Sequence, residues 1–217
     1  NIAFPLATFT TALAILFGLG AASKFSLLLG EKKPEQARRT LGNALTLMTI
    51  VGALMAACAI VFLKPMLYLF GATDAILPYA EPYARIIALG IPFGIFATGA
   101  AYFIRADGNP NYSSAVLLAG AIFNIIFDPV FLFVFDMGIS GIALATIFGQ
   151  MLSAFLALYY LLRRFKTGTI TRRDLMPEWK IVRQICALGA AGFFNHLAMS
   201  AVQMVQLNTL RPFGRLS

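Results

Sequence analysis

The sequence predicts an all-α protein that crosses a membrane several times, and composition is the first support for this fold class. Of its 217 residues, 59% are hydrophobic and only 12% are charged, and the mean hydropathy is +0.80. Soluble domains usually carry about 25% charged residues. The charges here stand in short clusters between long uncharged stretches. This pattern is typical of helices embedded in a lipid bilayer.

Six stretches are long enough to cross the bilayer, since each holds at least 19 residues with few or no charges. About 20 residues suffice at a rise of about 1.5 Å per residue. Such segments must be helical because lipid cannot satisfy the hydrogen bonds of an exposed backbone. In chain order the predicted spans are Asn1–Ser23 with an extension to Leu29, Thr40–Leu63, Ile86–Ile104, Gly108–Phe135, Met137–Leu162 and Ile185–Leu210.

The basic residues between the spans predict the orientation of the chain. Alternate loops carry twelve Lys and Arg residues on one side and two on the other. The positive-inside rule places the richer side in the cytoplasm, so the first span runs inward across the cell (inner) membrane. Nucleic acid is not an expected partner, because its binding modules spread their basic residues over a soluble face.

The charged segment 163–184 is the predicted cytoplasmic linker between two domains. Residues 1–162 then form an N-terminal lobe, and residues 185–217 begin a C-terminal lobe. Pro177 can start a short amphipathic helix that places Trp179 at the level of the lipid headgroups. A solvated connector is the alternative. Since the chain begins and ends beside apolar runs, we interpret it as a partial sequence that lacks at least one preceding helix.

Asp128 is the carboxylate that lies well inside a predicted span. A charge at the centre of a bilayer costs roughly 2.5–3.5 kcal/mol, so such a residue is a functional candidate. Asn124 lies four residues earlier and shares one helical face with it. Pro129 has no N–H to donate to the carbonyl of Ile125. One helical turn therefore offers an amide, a carboxylate and a carbonyl, which suit a proton or a small hard cation.

The next span extends this candidate site across a helical hairpin whose turn is centred near Met137. Asp128 and Thr146 are each nine residues from that turn, and Asn124 and Gln150 are each thirteen. Residues equidistant from a turn lie at similar heights in antiparallel helices, so we expect one polar patch. The alternative is that the neutral side chains only join helices through hydrogen bonds worth roughly 0.6 kcal/mol each.

Other candidates are weaker. His196 lies in the last span and can titrate, although packing is the more ordinary role of such a residue. Gly90 and Gly94 form a G-x-x-x-G pattern, which in a membrane helix indicates close packing or a kink. The sequence has no P-loop, G-x-S-x-G, H-E-x-x-H or C-x-x-C motif. ATP-driven transport and common hydrolase chemistry therefore have no support, and we expect no enzymatic activity.

Several segments resemble one transporter family. Asn124–Pro129 (NIIFDP), followed by Met137–Thr146 (MGISGIALAT) and Gln150, resembles the fifth and sixth helices of the multidrug and toxic compound extrusion (MATE) transporters. Arg105–Pro110 (RADGNP) and Leu29–Lys33 (LGEKK) resemble two of their cytoplasmic loops. The resemblance spans nearly the whole chain and is greatest to the bacterial MepA-like branch.

The resemblance implies a MATE-like bundle of twelve helices in two lobes, of which this chain covers about helices two to seven. It implies export of cationic or amphipathic drugs in exchange for H⁺ or Na⁺. Asn124, Asp128 and Thr146 would bind the proton, or the Na⁺ ion if transport is sodium-coupled. Gln150 and Tyr83 would be accessory or cavity residues. The expected partners are drug-like cations, the lipid bilayer and the rest of the same protein, with no cofactor besides the coupling ion.

Two other functions remain open at this point. A lipid-linked oligosaccharide flippase of the same superfamily would be expected to place several Arg or Lys residues in its cavity, and these spans have none away from their ends. A membrane scaffold without transport activity is the second alternative.

Overall fold

Seven α-helices make up the structure, a computed structural model that describes residues 4–69, 74–168 and 170–210. A π-helical segment, Val130–Val134, continues the fifth helix. In chain order the helices are α1 (Phe4–Gly30), α2 (Pro34–Val61), α3 (Leu63–Leu69), α4 (Leu77–Ala106), α5 (Pro110–Pro129), α6 (Gly138–Arg163) and α7 (Trp179–Leu210).

The six long helices have the length and hydropathy to cross a membrane, which confirms the predicted number of spans. The largest difference lies before the third span, where α4 begins nine residues earlier than predicted, at Leu77. Charge set the predicted boundary, but Glu81 and Arg85 lie one turn apart and form an ion pair of 2.9 Å. Helix α4 therefore includes both charged residues near its N-terminal end. The short helix α3 occupies part of the predicted loop.

Helix α4 lies at the centre of the bundle and packs against α1, α2, α5 and α6. Small residues allow the closest approaches. A Cβ atom on Gly18 of α1 would lie 2.5 Å from the Cα atom of Gly99 on α4, and one on Gly52 of α2 would lie 2.9 Å from the Cα atom of Pro92. Without an aqueous driving force between membrane helices, such backbone contacts supply much of the packing.

The last helix packs along α1. A Cβ atom on Gly189 would collide with the backbone carbonyl of Leu16, and one on Gly20 would collide with that of Ile185. Helix α7 begins at Trp179, two residues after Pro177, and runs without a break into the last span. The amphipathic piece predicted after Pro177 is thus the first part of a longer helix. The proposed division of the chain at 163–184 stays a prediction.

The first part of the linker is attached to the loop between α4 and α5. The carboxylate of Asp107 is buried there. It accepts hydrogen bonds from the hydroxyl of Tyr160 at 2.9 Å, the backbone N–H of Lys166 at 3.2 Å and the hydroxyl of Thr167 at 3.4 Å. A buried carboxylate needs such donors to offset its loss of hydration. Asp107 therefore joins α4, α6 and the linker.

The second part of the linker is attached to α2. The side-chain amide of Asn43 donates to the carbonyl of Asp174 at 3.3 Å and accepts from the N–H of Glu178 at 2.6 Å. The hydroxyl of Thr46 donates to the carbonyl of Leu175 at 2.7 Å. These contacts, with those of Asp107, place the three basic loops at one end of the bundle, as the orientation prediction requires.

Candidate cation site

The hairpin that carries the candidate residues reverses earlier than predicted. Pro129 ends the regular part of α5, and the π-helical turn follows it, as expected where the backbone ladder loses a donor. The N–H of Met137 bonds to the carbonyl of Phe131 at 3.1 Å. Asp136 and Gly138 have φ values of 51° and 58°, which turn the chain into α6. The reversal is therefore centred near Phe135.

The predicted height pairing of the polar residues is wrong by one helical turn. The side-chain amide of Asn124 lies opposite Thr146, each eleven residues from Phe135, and not opposite Gln150. Asp128 correspondingly lies nearer the hairpin end than Thr146 does. The physical reason is that the π-helical turn and the bond from Met137 to Phe131 close the hairpin before Met137.

Three of the predicted residues nevertheless form one hydrogen-bonded cluster. Asn124 Nδ2 donates to Asp128 Oδ1 at 3.0 Å and to Thr146 Oγ1 at 3.2 Å. The hydroxyl of Thr146 donates to the carbonyl of Ile142 at 3.0 Å, which fixes its position on α6. All three side chains are half-buried. The cluster thus holds a carboxylate, an amide and a hydroxyl on two facing helices.

Glycines bring these two helices together beside the cluster. A Cβ atom on Gly120 of α5 would lie 2.6 Å from the carbonyl oxygen of Gly149 on α6, and the reverse distance is also 2.6 Å. Ser153, one turn along α6, donates to the carbonyl of Val116 at 2.9 Å. The short side chains Asn124 and Thr146 can therefore reach each other across the interface.

Two cavities of about 260 Å³ each adjoin the cluster at Thr146, and the second also at Asn124, whereas Asp128 lines neither of them. Thr146, Gln150, Gly94 and Thr98 line both of them. Tyr83 lines only the first cavity, with Thr10 and Thr11 of α1, whereas Asn124 and Ser153 line only the second. The structure therefore places Gln150 and Tyr83 beside the cluster as cavity residues. Gln150 makes no side-chain hydrogen bond within the part of the chain that the structure describes.

The G-x-x-x-G pattern on α4 makes room for Gln150. A Cβ atom on Gly90 would lie 2.7 Å from Gln150 Oε1, and one on Gly94 would lie 3.3 Å from its amide carbon. The interpretation of these glycines as close packing is confirmed. Sequence reasoning missed Thr98, which lies one turn after Gly94. The available signal was the spacing of four residues, which places a polar side chain on the same face as the glycine.

The donor set of the cluster fits a proton or one monovalent cation. Its single carboxylate is accompanied by neutral oxygen groups, and no Arg or Lys is among the residues that line the two cavities. Among the described residues, no three His, Cys, Asp or Glu side chains converge to hold a metal ion. Transition metals such as Zn²⁺ prefer several such ligands. Hard oxygen groups are instead suited to Na⁺ or a proton.

His196 lies on α7, away from this cluster. Its side chain is half-buried, and it makes no hydrogen bond to a side chain or backbone group in the described ranges. The structure brings it to neither cavity. It is therefore no part of the candidate site.

The chain matches known proteins over its whole length. Residues 1–130 match the MatE family. The chain is 25% identical over 217 residues to the Multidrug export protein MepA of Staphylococcus saprophyticus subsp. saprophyticus, and covers 48% of that protein. The same comparison gives 24% identity with the Multidrug export protein MepA of Staphylococcus aureus. The chain thus spans about half the length of these relatives.

Solved structures show the same fold. A multidrug resistance MATE family transporter of the MOP superfamily superposes in its inward-facing conformation with a TM-score of 0.86, at 25% identity, over 92% of this chain and 46% of that one. An outward-facing conformation gives a TM-score of 0.85, at 25% identity, over 95% of this chain and 46% of that one. The resemblance stated from the sequence is confirmed. With more than half of its residues matched and six membrane helices in the family's arrangement, this multi-pass protein of the bacterial cell membrane belongs to the MatE family.

Proposed function

We propose that the protein of which this chain is part exports cationic or amphipathic organic compounds in exchange for H⁺ or Na⁺. The observation that carries the proposal is the cluster of Asn124, Asp128 and Thr146 beside two cavities. The names of the related proteins describe multidrug export, which supports export of drugs without specifying their charge.

The coupling ion would bind at the carboxylate of Asp128. In the present geometry the amide nitrogen of Asn124 faces that carboxylate. A bound Na⁺ would favour a half-turn of the amide, which presents its oxygen in place of its nitrogen. A proton on Asp128 would favour the same half-turn, because a carboxylic acid can donate to the amide oxygen. Binding of either ion would therefore replace the present hydrogen bonds between α5 and α6 with different ones.

Such an exchange can drive transport only if the ion binds one conformation better than the other. This chain superposes almost equally well on an inward-facing and an outward-facing transporter. That similarity supports movement of the lobe largely as one body, with local changes confined to the cation site and its cavities. Substrate release would then follow ion binding through a shift in the equilibrium between the two conformations.

The two alternative functions have less support. A flippase for lipid-linked oligosaccharides would need basic side chains to bind pyrophosphate. The two cavities beside the cluster are lined by no Arg or Lys. A scaffold without transport activity would have no use for a carboxylate inside a membrane span, because such a group is costly to insert.

The test is transport by the intact protein in proteoliposomes. A fluorescent lipophilic cation would be followed under an imposed H⁺ or Na⁺ gradient, with wild type, Asp128→Asn and Asp136→Asn compared. Asp136 makes the matched control, since it undergoes the same chemical change eight residues away, on the exposed turn. We expect gradient-driven efflux to be lost in Asp128→Asn, because a neutral amide cannot exchange a proton or balance the charge of Na⁺, and to persist in Asp136→Asn.

Equal efflux by wild type and Asp128→Asn would contradict the assigned ion site. Absence of gradient-driven efflux in wild type, with the protein folded, would instead favour a scaffold. The ion whose imposed gradient supports efflux distinguishes H⁺ from Na⁺ coupling.

A further inference from the structure

A third cavity lies on another face of the bundle, between α2, α4 and α6. Helices α2 and α6 both pack on α4, but within the described ranges they make almost no contact with each other. The space between them has a volume of about 350 Å³. Its walls are nearly all apolar and include Thr49 of α2, Phe93 and Phe96 of α4, and Met151, Ala154 and Phe155 of α6. We call this space the lateral groove.

The lateral groove is separate from the cation site. None of the residues that line it lines either polar cavity. On α4, Gly94 and Thr98 face the polar cavities, whereas Phe93 and Phe96 face the groove. Its one hydroxyl, that of Thr49, is already donated to the carbonyl of Leu45 at 2.8 Å. The groove therefore offers an apolar ligand a surface that requires no polar partner.

The depth of the lateral groove matches one leaflet of a bilayer. Leu158 and Met151, which line it, lie five and twelve residues before Arg163 at the basic end of α6. At about 1.5 Å per residue these positions are about 8 and 18 Å from that end. One leaflet contributes about 15 Å of hydrocarbon. An acyl chain of the leaflet on the basic side would therefore reach the groove.

The linker lies directly beside the end of the groove nearer the basic loops. Thr46 is one turn before Thr49 on α2, and its hydroxyl holds the carbonyl of Leu175. Leu175 and its neighbour Met176 are exposed, with 39% and 66% of their surface accessible, and Trp179 is 80% exposed. Exposed Trp and aliphatic residues at this level are typical of the membrane interface.

Basic residues flank this apolar edge in sequence. Both acidic residues of the segment are engaged, since Asp174 lies 3.9 Å from Arg38 and Glu178 lies 3.4 Å from Arg39. Arg172 and Arg173 are exposed and form no ion pair within the part of the chain that the structure describes. Basic clusters next to a membrane helix attract anionic lipid headgroups, at about 1 kcal/mol for each residue.

We propose that the lateral groove and the linker together form a binding site for one anionic phospholipid of the cytoplasmic leaflet. One acyl chain lies between α2, α4 and α6, and the phosphate lies against Arg172 and Arg173. The site does not depend on the proposed antiport, since it uses none of the residues of the cation site. The ligand is a resident lipid and not the exported compound.

The test is lipid retention by the intact protein. The protein would be purified in detergent from membranes that contain phosphatidylglycerol and phosphatidylcholine, and bound lipids would be counted by native mass spectrometry. Wild type is expected to retain one phosphatidylglycerol in preference to phosphatidylcholine. Ala154→Phe, which fills the groove, is expected to abolish this retention. Ala115→Phe on the exposed face of α5 is its matched control.

Removal of the positive charges of Arg172 and Arg173 tests the headgroup contact without changing the packing between the helices. Arg172→Gln with Arg173→Gln is expected to lower retention of phosphatidylglycerol about fivefold for each charge removed, and to leave any phosphatidylcholine signal unchanged. Lys32→Gln with Lys33→Gln removes the same charge from another loop and is expected to retain the lipid. The Asp128→Asn variant should also retain the lipid. A failure of the antiport proposal can therefore be distinguished from a failure of the lipid site.

Retention that is unaffected by both Ala154→Phe and the double Arg variant would overturn the proposal. Equal retention of the two lipids by wild type would overturn it as well. Displacement of the bound lipid by the fluorescent cation used for transport would show that the lateral groove binds substrate, and would likewise contradict the assignment.

Discussion

The amide nitrogen of Asn124 lies 3.2 Å from the hydroxyl oxygen of Thr146, and this contact joins α5 to α6 beside the carboxylate of Asp128. The same nitrogen donates to that carboxylate at 3.0 Å. One side chain therefore connects the ionisable group to the neighbouring helix. A change in the charge of Asp128 is expected to alter the contact with Thr146.

Replacement of Thr146 by Val tests this connection. The variant keeps the shape of the side chain but removes its oxygen, so we expect weaker binding of the coupling ion. The loss of stability should be small, since an interhelical hydrogen bond in a membrane protein averages about 0.6 kcal/mol. The measurement is the ion concentration that gives half-maximal efflux in the intact protein, which should rise at least about threefold because one oxygen ligand is lost.

Thr49→Val is the matched control for this variant. Its hydroxyl bonds only to the carbonyl of Leu45 in its own helix and lies outside both polar cavities. The half-maximal ion concentration should be unchanged. If Thr146→Val and Thr49→Val behave alike, the hydroxyl of Thr146 has no part in ion binding.

The hydrogen bond from Tyr160 to Asp107 leads to a prediction about stability. Tyr160 is 1% exposed and donates to a buried carboxylate at 2.9 Å. Hydrogen bonds to charged groups contribute about 1.5–3 kcal/mol, so Tyr160→Phe should destabilise the intact protein by that amount. Tyr159→Phe is a matched control because Tyr159 is 46% exposed. Thermal unfolding in detergent measures both, and equal midpoints would contradict the assigned role.

A pH-dependent contact is expected at Asp174. Burial would raise the pKa of this carboxyl, but hydrogen bonds from Thr171 and the charges of Arg38 and Arg39 outweigh burial and hold the pKa below its ordinary value. A lowered pKa means that the carboxylate stabilises the attachment of the linker above about pH 4. That contribution is lost as the pH falls through the lowered pKa.

Trp179 provides the measurement, since it is the single tryptophan of the chain and lies five residues after Asp174. We expect its fluorescence to change in wild type as the pH falls below about 4. Asp174→Asn should show no such transition, and Asp136→Asn should behave as wild type. A transition of the same size in Asp174→Asn would assign it to another group.

The fold was largely predictable because membrane helices have a strong signal. Six uncharged stretches predicted six helices, and lipid allows no other backbone structure for them. The exceptions lie where charged residues are part of a helix. Glu81 and Arg85 form an ion pair inside the first turns of α4, so a boundary placed at charged residues falls too late. The helix α3 was missed because it is short and lies in a segment with charged and turn-forming residues.

The sequence predicted which residues form the candidate site, but not their relative heights along α5 and α6. The spacing of Asn124 and Asp128 on one helix and the position of Thr146 on the next brought the three residues together. Their relative heights depended on the π-helical turn after Pro129, and a count of residues along two ideal helices does not include such a turn. Thr98 was missed because it belongs to a helix distant in sequence.

The attachment of the segment after α6 to α2 and to the end of α4 determines what a spectroscopic label in this segment would report. Asn43 and Thr46 hold residues 174–178 on α2, and Asp107 holds residues 166 and 167. A spectroscopic label on the exposed Met176 would therefore move with α2, although this residue lies in the predicted linker. Distances from this label to a second label on α7 would test whether α7 moves relative to α2, as the predicted division of the chain at 163–184 implies.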